Sequence, residues 1–233
     1  MSPVLKRAVL AAVPCLLVLS GCGVAGTEFH PGVAATVGDE TITNNTVDEL
    51  TADYCDAIES QLQQKVPLSG YRVGIAALLA WRSAIDQLAE GYDVEPGKDY
   101  EAQLQQFRGQ ADDLGLKGRD KEAFVEVQTS QAYGFDQLTQ IGLIELENEG
   151  ESDPTLDFQQ ARGLDELEAW VEREGVEFDP KYGLQMVEGQ PQGVDTDLSF
   201  ALGDLATSAN VVNDDGTPDS AYLDSLPASS TCG

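Results

Sequence analysis

The stretch Val33-Ala34-Ala35-Thr36-Val37-Gly38-Asp39-Glu40-Thr41-Ile42-Thr43 runs without a break into Asn44-Asn45-Thr46-Val47. Gly38-Asp39 lies between two runs of β-prone residues, and such a pair accepts the positive φ values of a tight turn. The pattern predicts a small hairpin with strands near 34–37 and 40–43. Asn44, Asn45 and Thr46 are all good helix N-caps, and Glu49 completes a Thr-x-x-Glu box from Thr46. Val47, Leu50, Tyr54, Ile58 and Leu62 then recur at spacings of three and four, the period of one helix face. An amphipathic helix is expected here, ending before Pro67.

Four further helices follow from the same period. Ser69 opens the second, which carries Ile75, Leu78, Leu79, Ala80, Trp81, Ile85 and Leu88 and closes at Gly91. It is apolar on most faces and so is the candidate for a central buried helix. Pro96 starts the third, with Tyr100, Leu104, Phe107 and Ala111 in phase, and Gly115 and Gly118 break it. Asp120 caps a long fourth, striped by Phe124, Val127, Gln131, Phe135, Leu138, Ile141 and Ile144. Leu156 to Gly175 is the fifth, with Phe158, Ala161, Leu164, Leu167, Trp170 and Val171. Val176-Glu177-Phe178-Asp179 alternates like a strand. Two short strands are marginal alone, so the segment Ala35 to Val37 is expected to pair with Val176 to Phe178. The fold class is therefore mainly α, about five helices with a small β element that joins the first strand to one after the last long helix. The helical body spans 33–185. After Gly183 the periodicity fades, and 186–233 reads as a partly ordered tail with a short helix near Phe200 to Leu205.

The beginning of the chain reads as an address. Lys6 and Arg7 precede an apolar run from Ala8 to Leu19, too short for a membrane span and right for a signal-peptide core. Leu19-Ser20-Gly21-Cys22 resembles the lipobox of bacterial lipoproteins, in which the cysteine thiol is lipidated and becomes the first residue after cleavage. The alternative is an ordinary signal peptide with an incidental cysteine. On the lipobox reading, 1–21 is the signal peptide, Cys22 carries the lipid, and 22–32 is a tether. Of the 4 cysteines, Cys15 leaves with the signal and Cys22 is taken by lipid. Cys55 and Cys232 remain, in an exported chain where disulfides persist. They are expected to pair, the alternatives being two separate thiols or an intermolecular bridge. In the chain-entropy model so long a loop would cost the unfolded state roughly 5 kcal/mol. The bridge would bring the tail back over the body to the first helix.

Charge narrows the function classes. The 233 residues hold 41 acidic and 13 basic side chains, a formal net charge of −28. Nucleic acid is disfavoured as a partner, because phosphate binding needs clustered Lys and Arg. The single histidine, His30, falls on the tether, and one histidine cannot write a two-His zinc motif or a triad placed in the body. Asn213-Asp214-Asp215-Gly216 fails as a calcium loop, since Val211 and Tyr222 would occupy chelating positions. Glu145, Glu147, Glu149 and Glu151 could serve a glycosidase as paired carboxylates but read as a solvated acidic face. Tyr54, Trp81, Tyr92, Tyr133 and Trp170 belong to the core or line a peptide groove. No catalytic, metal or cofactor site is assigned.

The order of lipobox, strand-turn-strand at Ala35 to Thr43, several helices, and Phe178-Asp179-Pro180-Lys181-Tyr182-Gly183 resembles the SurA/PrsA-like N-terminal chaperone domain of cell-envelope lipoproteins of Gram-positive, notably actinobacterial, type. The resemblance covers roughly 33–185. It implies that the terminal strands pair and that the helices form a cradle for unfolded secreted chains. Many members add a parvulin-type prolyl isomerase domain. The stretch after Gly183 is too short for one, and a single histidine cannot supply its site. The expected protein is a non-enzymatic, lipid-anchored holder of unfolded or emerging secreted polypeptides at the outer face of the cytoplasmic membrane. The alternative is an envelope assembly lipoprotein that docks one fixed protein partner.

Overall fold

Val33–Val37 holds the middle of a three-stranded antiparallel sheet in the computed structural model of the chain, which describes residues 31–194 and 219–233. In chain order the elements are β1 (Val33–Val37), β2 (Glu40–Thr43), α1 (Asn44–Ile58), β3 (Val66–Pro67), α2 (Leu68–Tyr92), α3 (Lys98–Asp113), α4 (Gly118–Asn148) and α5 (Leu156–Glu174). There follow β4 (Val176–Phe178), β5 (Leu184–Val187), β6 (Gln190–Gly193), a short helix at Ser220–Ser225, and β7 (Thr231–Cys232). The architecture is mainly helical with small antiparallel sheets, as the periodicity predicts. The expected signal peptide 1–21, Cys22, His30, the helix expected near Phe200 to Leu205 and the stretch 213–216 lie outside the described residues.

The flanking strands meet as expected. β1 pairs with β2 across the Gly38-Asp39 turn and with β4 on its other side, Ala35 opposite Phe178 and Val37 opposite Val176. The Gly38 N–H donates to the Gly175 carbonyl at 2.9 Å, and the Asp179 N–H to the Ala34 carbonyl at 2.9 Å, which extends the ladder at both ends. Gly38 has φ +53°, and a Cβ there would sit 2.5 Å from Gln87 Oε1 and 3.2 Å from the Trp170 ring. Both the turn and the packing beneath it therefore require glycine. Past β4, the Tyr182 hydroxyl donates to Asn44 Oδ1 at 2.9 Å, and Lys181 Nζ donates to the same oxygen at 2.7 Å. The returning segment is thus clamped to the start of α1.

Several helix ends differ from the sequence reading. α1 is capped by Thr43, whose Oγ1 accepts the Thr46 N–H at 3.1 Å, not by the Thr46 box. Thr43 ends β2 in an extended conformation, the geometry an N-cap needs, so strand passes to helix with no linker. α1 stops at Ile58 and leaves Leu62 beyond a 3-10 turn. α2 runs past Gly91 to Tyr92 and is capped by Asp93, which takes the left-handed conformation at φ 55°. α2 is the central helix: Ala76, Ala80, Ala84 and Ile85 are fully buried, and it packs against β1, α1, α4 and α5.

Past the helices, the chain folds into a second hairpin that crosses residue 185. β5 and β6 form a hairpin whose two turn residues, Glu188 and Gly189, both have positive φ (51° and 71°). The Trp81 indole N–H donates to the Gly189 carbonyl at 3.1 Å and holds this turn on α2. The hairpin is tied back at Val194, whose N–H donates to the Gly183 carbonyl at 2.7 Å. Farther on, Asp219 caps the helix Ser220–Ser225, and Leu223 is buried. β7 then pairs with β3, Cys232 opposite Val66. Cys55 and Cys232 are joined in a disulfide with Cα atoms 5.6 Å apart. The last segment ends beside α1, as the cysteine count implied.

Candidate functional site

α4 is a long helix contacted by α1, α2, α3 and α5. The sequence stripe assigned to its core splits in two. Phe124, Leu138 and Ile141 are buried, whereas Val127, Phe135 and Ile144 are only partly covered and Gln131 is exposed. A straight helix turns 100° per residue, so one stripe cannot stay under the same neighbour along its whole length. Val127, Gln131, Phe135 and Thr139 rise at i, i+4, i+8 and i+12 along a line that faces a groove.

The groove has two adjoining depressions. The larger, about 870 Å³, lies between α4 and the N-terminal ends of α3 and α5. Five glutamines line it, Gln103, Gln131, Gln140, Gln159 and Gln160, with Tyr100 and Phe135. The smaller, about 260 Å³, is apolar over Leu78, Trp81, Val127, Phe135 and Pro191. Gln131 and Phe135 line both. The Trp81 and Phe135 rings meet edge to face at 5.8 Å. At the α5 end, Leu156 lines the groove and is 59% exposed, and Phe158 on the same first turn is 67% exposed. Phe158 was expected on the buried stripe of α5 and is not there.

Amides dominate the lining, beside three charged residues, Lys98, Asp99 and Asp136. Asp136 is already engaged, accepting the Gly97 N–H at 2.7 Å and the Gln140 amide at 3.0 Å. Gln159 donates to the Pro154 carbonyl at 2.8 Å. Among the described residues, the Gln103, Gln131 and Gln160 side chains have no protein partner. A primary amide both donates and accepts, so it can meet a peptide N–H or C=O in either chain direction. Such a lining suits an extended backbone more than one fixed small molecule.

Of the five aromatic residues weighed for a groove, only Trp81 lines it. Tyr54 is buried and its hydroxyl accepts the Gln128 amide at 2.9 Å, Trp170 is buried beneath the hairpin turn, and Tyr92 donates to Glu166 at 3.1 Å. Tyr133 donates to Asp86 at 2.5 Å, with the Arg82 guanidinium 4.5 Å above its ring. Burial, then the Asp86 carboxylate, pushes the Tyr133 hydroxyl up to about 12, and burial raises the Asp86 carboxyl as well. Tyr100 and Phe135, which also reach the groove, carry the helical spacing of core positions, and spacing alone does not show which side of a helix is left open.

The acidic row also divides. Glu145 and Glu149 face Arg162 at 3.5 and 3.0 Å, Glu166 joins them, and Glu147 and Glu151 are exposed. This is an ion-paired surface, not a pair of opposed catalytic carboxylates. Among the described residues no group of three or more His, Cys, Asp or Glu could hold a metal ion, and no helix is long and apolar enough to cross a membrane. No family model, curated protein or solved structure matches the chain.

Proposed function

We propose that the protein is a lipid-anchored, non-enzymatic holder of unfolded or emerging secreted polypeptides at the outer face of the cytoplasmic membrane. The observation that carries this reading is the open groove on α4, where an amide-lined trough adjoins an apolar pocket. Burial of client side chains against Trp81, Val127 and Phe135 would supply affinity, and the glutamines would satisfy client backbone. A net charge of −28 keeps such a carrier soluble and favours basic clients. The pairing of β1 with β4 around the helices supports the resemblance to the SurA/PrsA-like N-terminal chaperone domain. The Leu19-Ser20-Gly21-Cys22 box supports the anchor, and Cys22→Ala should release the protein from membranes or leave it uncleaved. The deciding assay is light scattering from a reduced secreted protein diluted out of denaturant. Stoichiometric wild type should suppress aggregation, and Gln131→Ala with Phe135→Ser should suppress it much less. No suppression, together with stoichiometric recovery of one folded envelope protein, would favour a docking lipoprotein instead.

A further inference from the structure

The groove does not stop at the two depressions just described. Tyr100 is shared between the amide-lined trough and a third depression of about 540 Å³ between α3 and α4. Three cations, Arg82, Arg108 and Lys121, line that end, in a chain with only 13 basic residues. Glu122 and Glu126 also line it, and Lys121 is paired with Asp112 at 2.5 Å, so the cationic character rests most on Arg108, which has no carboxylate partner among the described residues. At the other end, Gln190 is shared between the apolar pocket and a fourth depression of about 490 Å³. That end is lined by Asp165, Glu168 and Glu188 and by no basic residue. The chain of depressions thus runs from a mixed end with three cations, through amides and an apolar pocket, to a purely acidic end.

We propose that the groove reads a polarised client segment: basic residues at the β5–β6 hairpin, one bulky apolar side chain beside Trp81 and Pro191, and an extended stretch toward α3 that tolerates an acidic residue near Arg108. This rests on the holding function proposed above and deepens it. The apolar pocket is small, so it takes one side chain and not a cluster. It shares Gln190 with the acidic end, so the basic residues follow the apolar one across the β5–β6 hairpin. Between the ends, five glutamines offer donors and acceptors to client backbone, Asp136 is already engaged, and Lys98 and Asp99 supply one charge of each sign, so no net charge selects the sequence there.

Fluorescence anisotropy with the full chain tests the order. Three labelled peptides of equal composition are compared: Lys-Lys-Phe followed by a neutral stretch and Asp, an isomer with the lysines moved to the far side of the neutral stretch beside the aspartate, and one with Phe moved to an end. The first should bind about tenfold more tightly than either isomer, a difference of about two exposed charge contacts or one buried ring. Asp165→Lys, at an exposed position of α5, with Glu168→Gln, at a partly buried one, should erase the preference between the first two peptides and leave the melting temperature near wild type. Arg108→Glu should reduce affinity for the first peptide but not for its analogue with asparagine in place of the aspartate. Equal binding of all three peptides, with aggregation suppression intact, would overturn the polarity and leave the holding reading standing. No binding of any peptide, with no suppression of aggregation, would overturn both.

Discussion

Toward α5, helix α4 approaches backbone to backbone; toward solvent it presents a line of separated side chains. On the first side a Cβ placed on Gly142 would overlap the Gln159 carbonyl oxygen, and one on Gly163 would overlap the Leu138 carbonyl oxygen. Gly134 likewise leaves room for the Trp81 ring. On the second side Gln131 is exposed, and Val127 and Phe135 are only partly covered. One side spends its residues on close packing, the other leaves apolar and amide groups available. The contrast teaches that the groove is held open by a seam that cannot shift: α4 and α5 are fixed by glycine contacts, so the trough between α4 and their neighbours keeps its width.

The largest expected effect breaks the seam. Gly→Ala in a helix interior ordinarily stabilises by about 1 kcal/mol. Here Gly163→Ala or Gly142→Ala should destabilise by about 3 kcal/mol or more, because the obstacle is backbone and cannot rotate away. Chemical denaturation followed by far-UV circular dichroism reads the sign directly, and a stabilised variant would show that the helices do not touch there. Next comes the clasp. Cys55→Ser with Cys232→Ser should lower stability by about 2–4 kcal/mol. Proteolysis should then cut first near residues 219–233, where Leu223, Thr231 and Cys232 supply the buried contacts. Mass spectrometry of the non-reduced protein must find the bridge; two free thiols would remove the reason for this ordering.

A smaller effect is tied to pH. The Tyr133 and Tyr182 hydroxyls are each pushed up to about 12, mainly by burial, from an ordinary value of 10.0. In the unfolded chain they ionise near 10, in the folded one later. Their contribution is therefore complete below pH 10 and is lost as pH rises toward 12. Alkaline unfolding should set in across that window, and Tyr133→Phe should flatten part of the slope while costing about 1 kcal/mol at neutral pH for the lost hydrogen bond to Asp86. The smallest effect on stability belongs to the groove. Gln131→Ala should change stability by less than about 0.5 kcal/mol, since its side chain is exposed and has no protein partner among the described residues, yet it should weaken polypeptide binding.

The parts legible in the sequence are those governed by local rules. Gly38-Asp39 marks its hairpin by turn chemistry, the five helices by period, and Cys55 with Cys232 by elimination. The β5–β6 hairpin escapes because its turn is Glu188-Gly189 and not Asn-Gly, and because Pro191 stands inside β6, where proline argues against a strand. The Trp81 hydrogen bond to Gly189 holds the turn from a distance of 108 residues, which no local pattern shows. The same limit hides the groove. Val127, Gln131 and Phe135 have core spacing, and only the placement of the neighbouring helices and of the β5–β6 hairpin decides that they are left partly open.

Hydrogen–deuterium exchange on the full chain, with and without a permanently unfolded, carboxymethylated secreted polypeptide, tests the central claim most directly. The account predicts added protection along α4 from Val127 to Gln140 and at the first turn of α5 around Leu156, with the α4–α5 seam at Gly142 and Gly163 unchanged because it is already closed. Protection confined to another face, or none at saturating client, would contradict it.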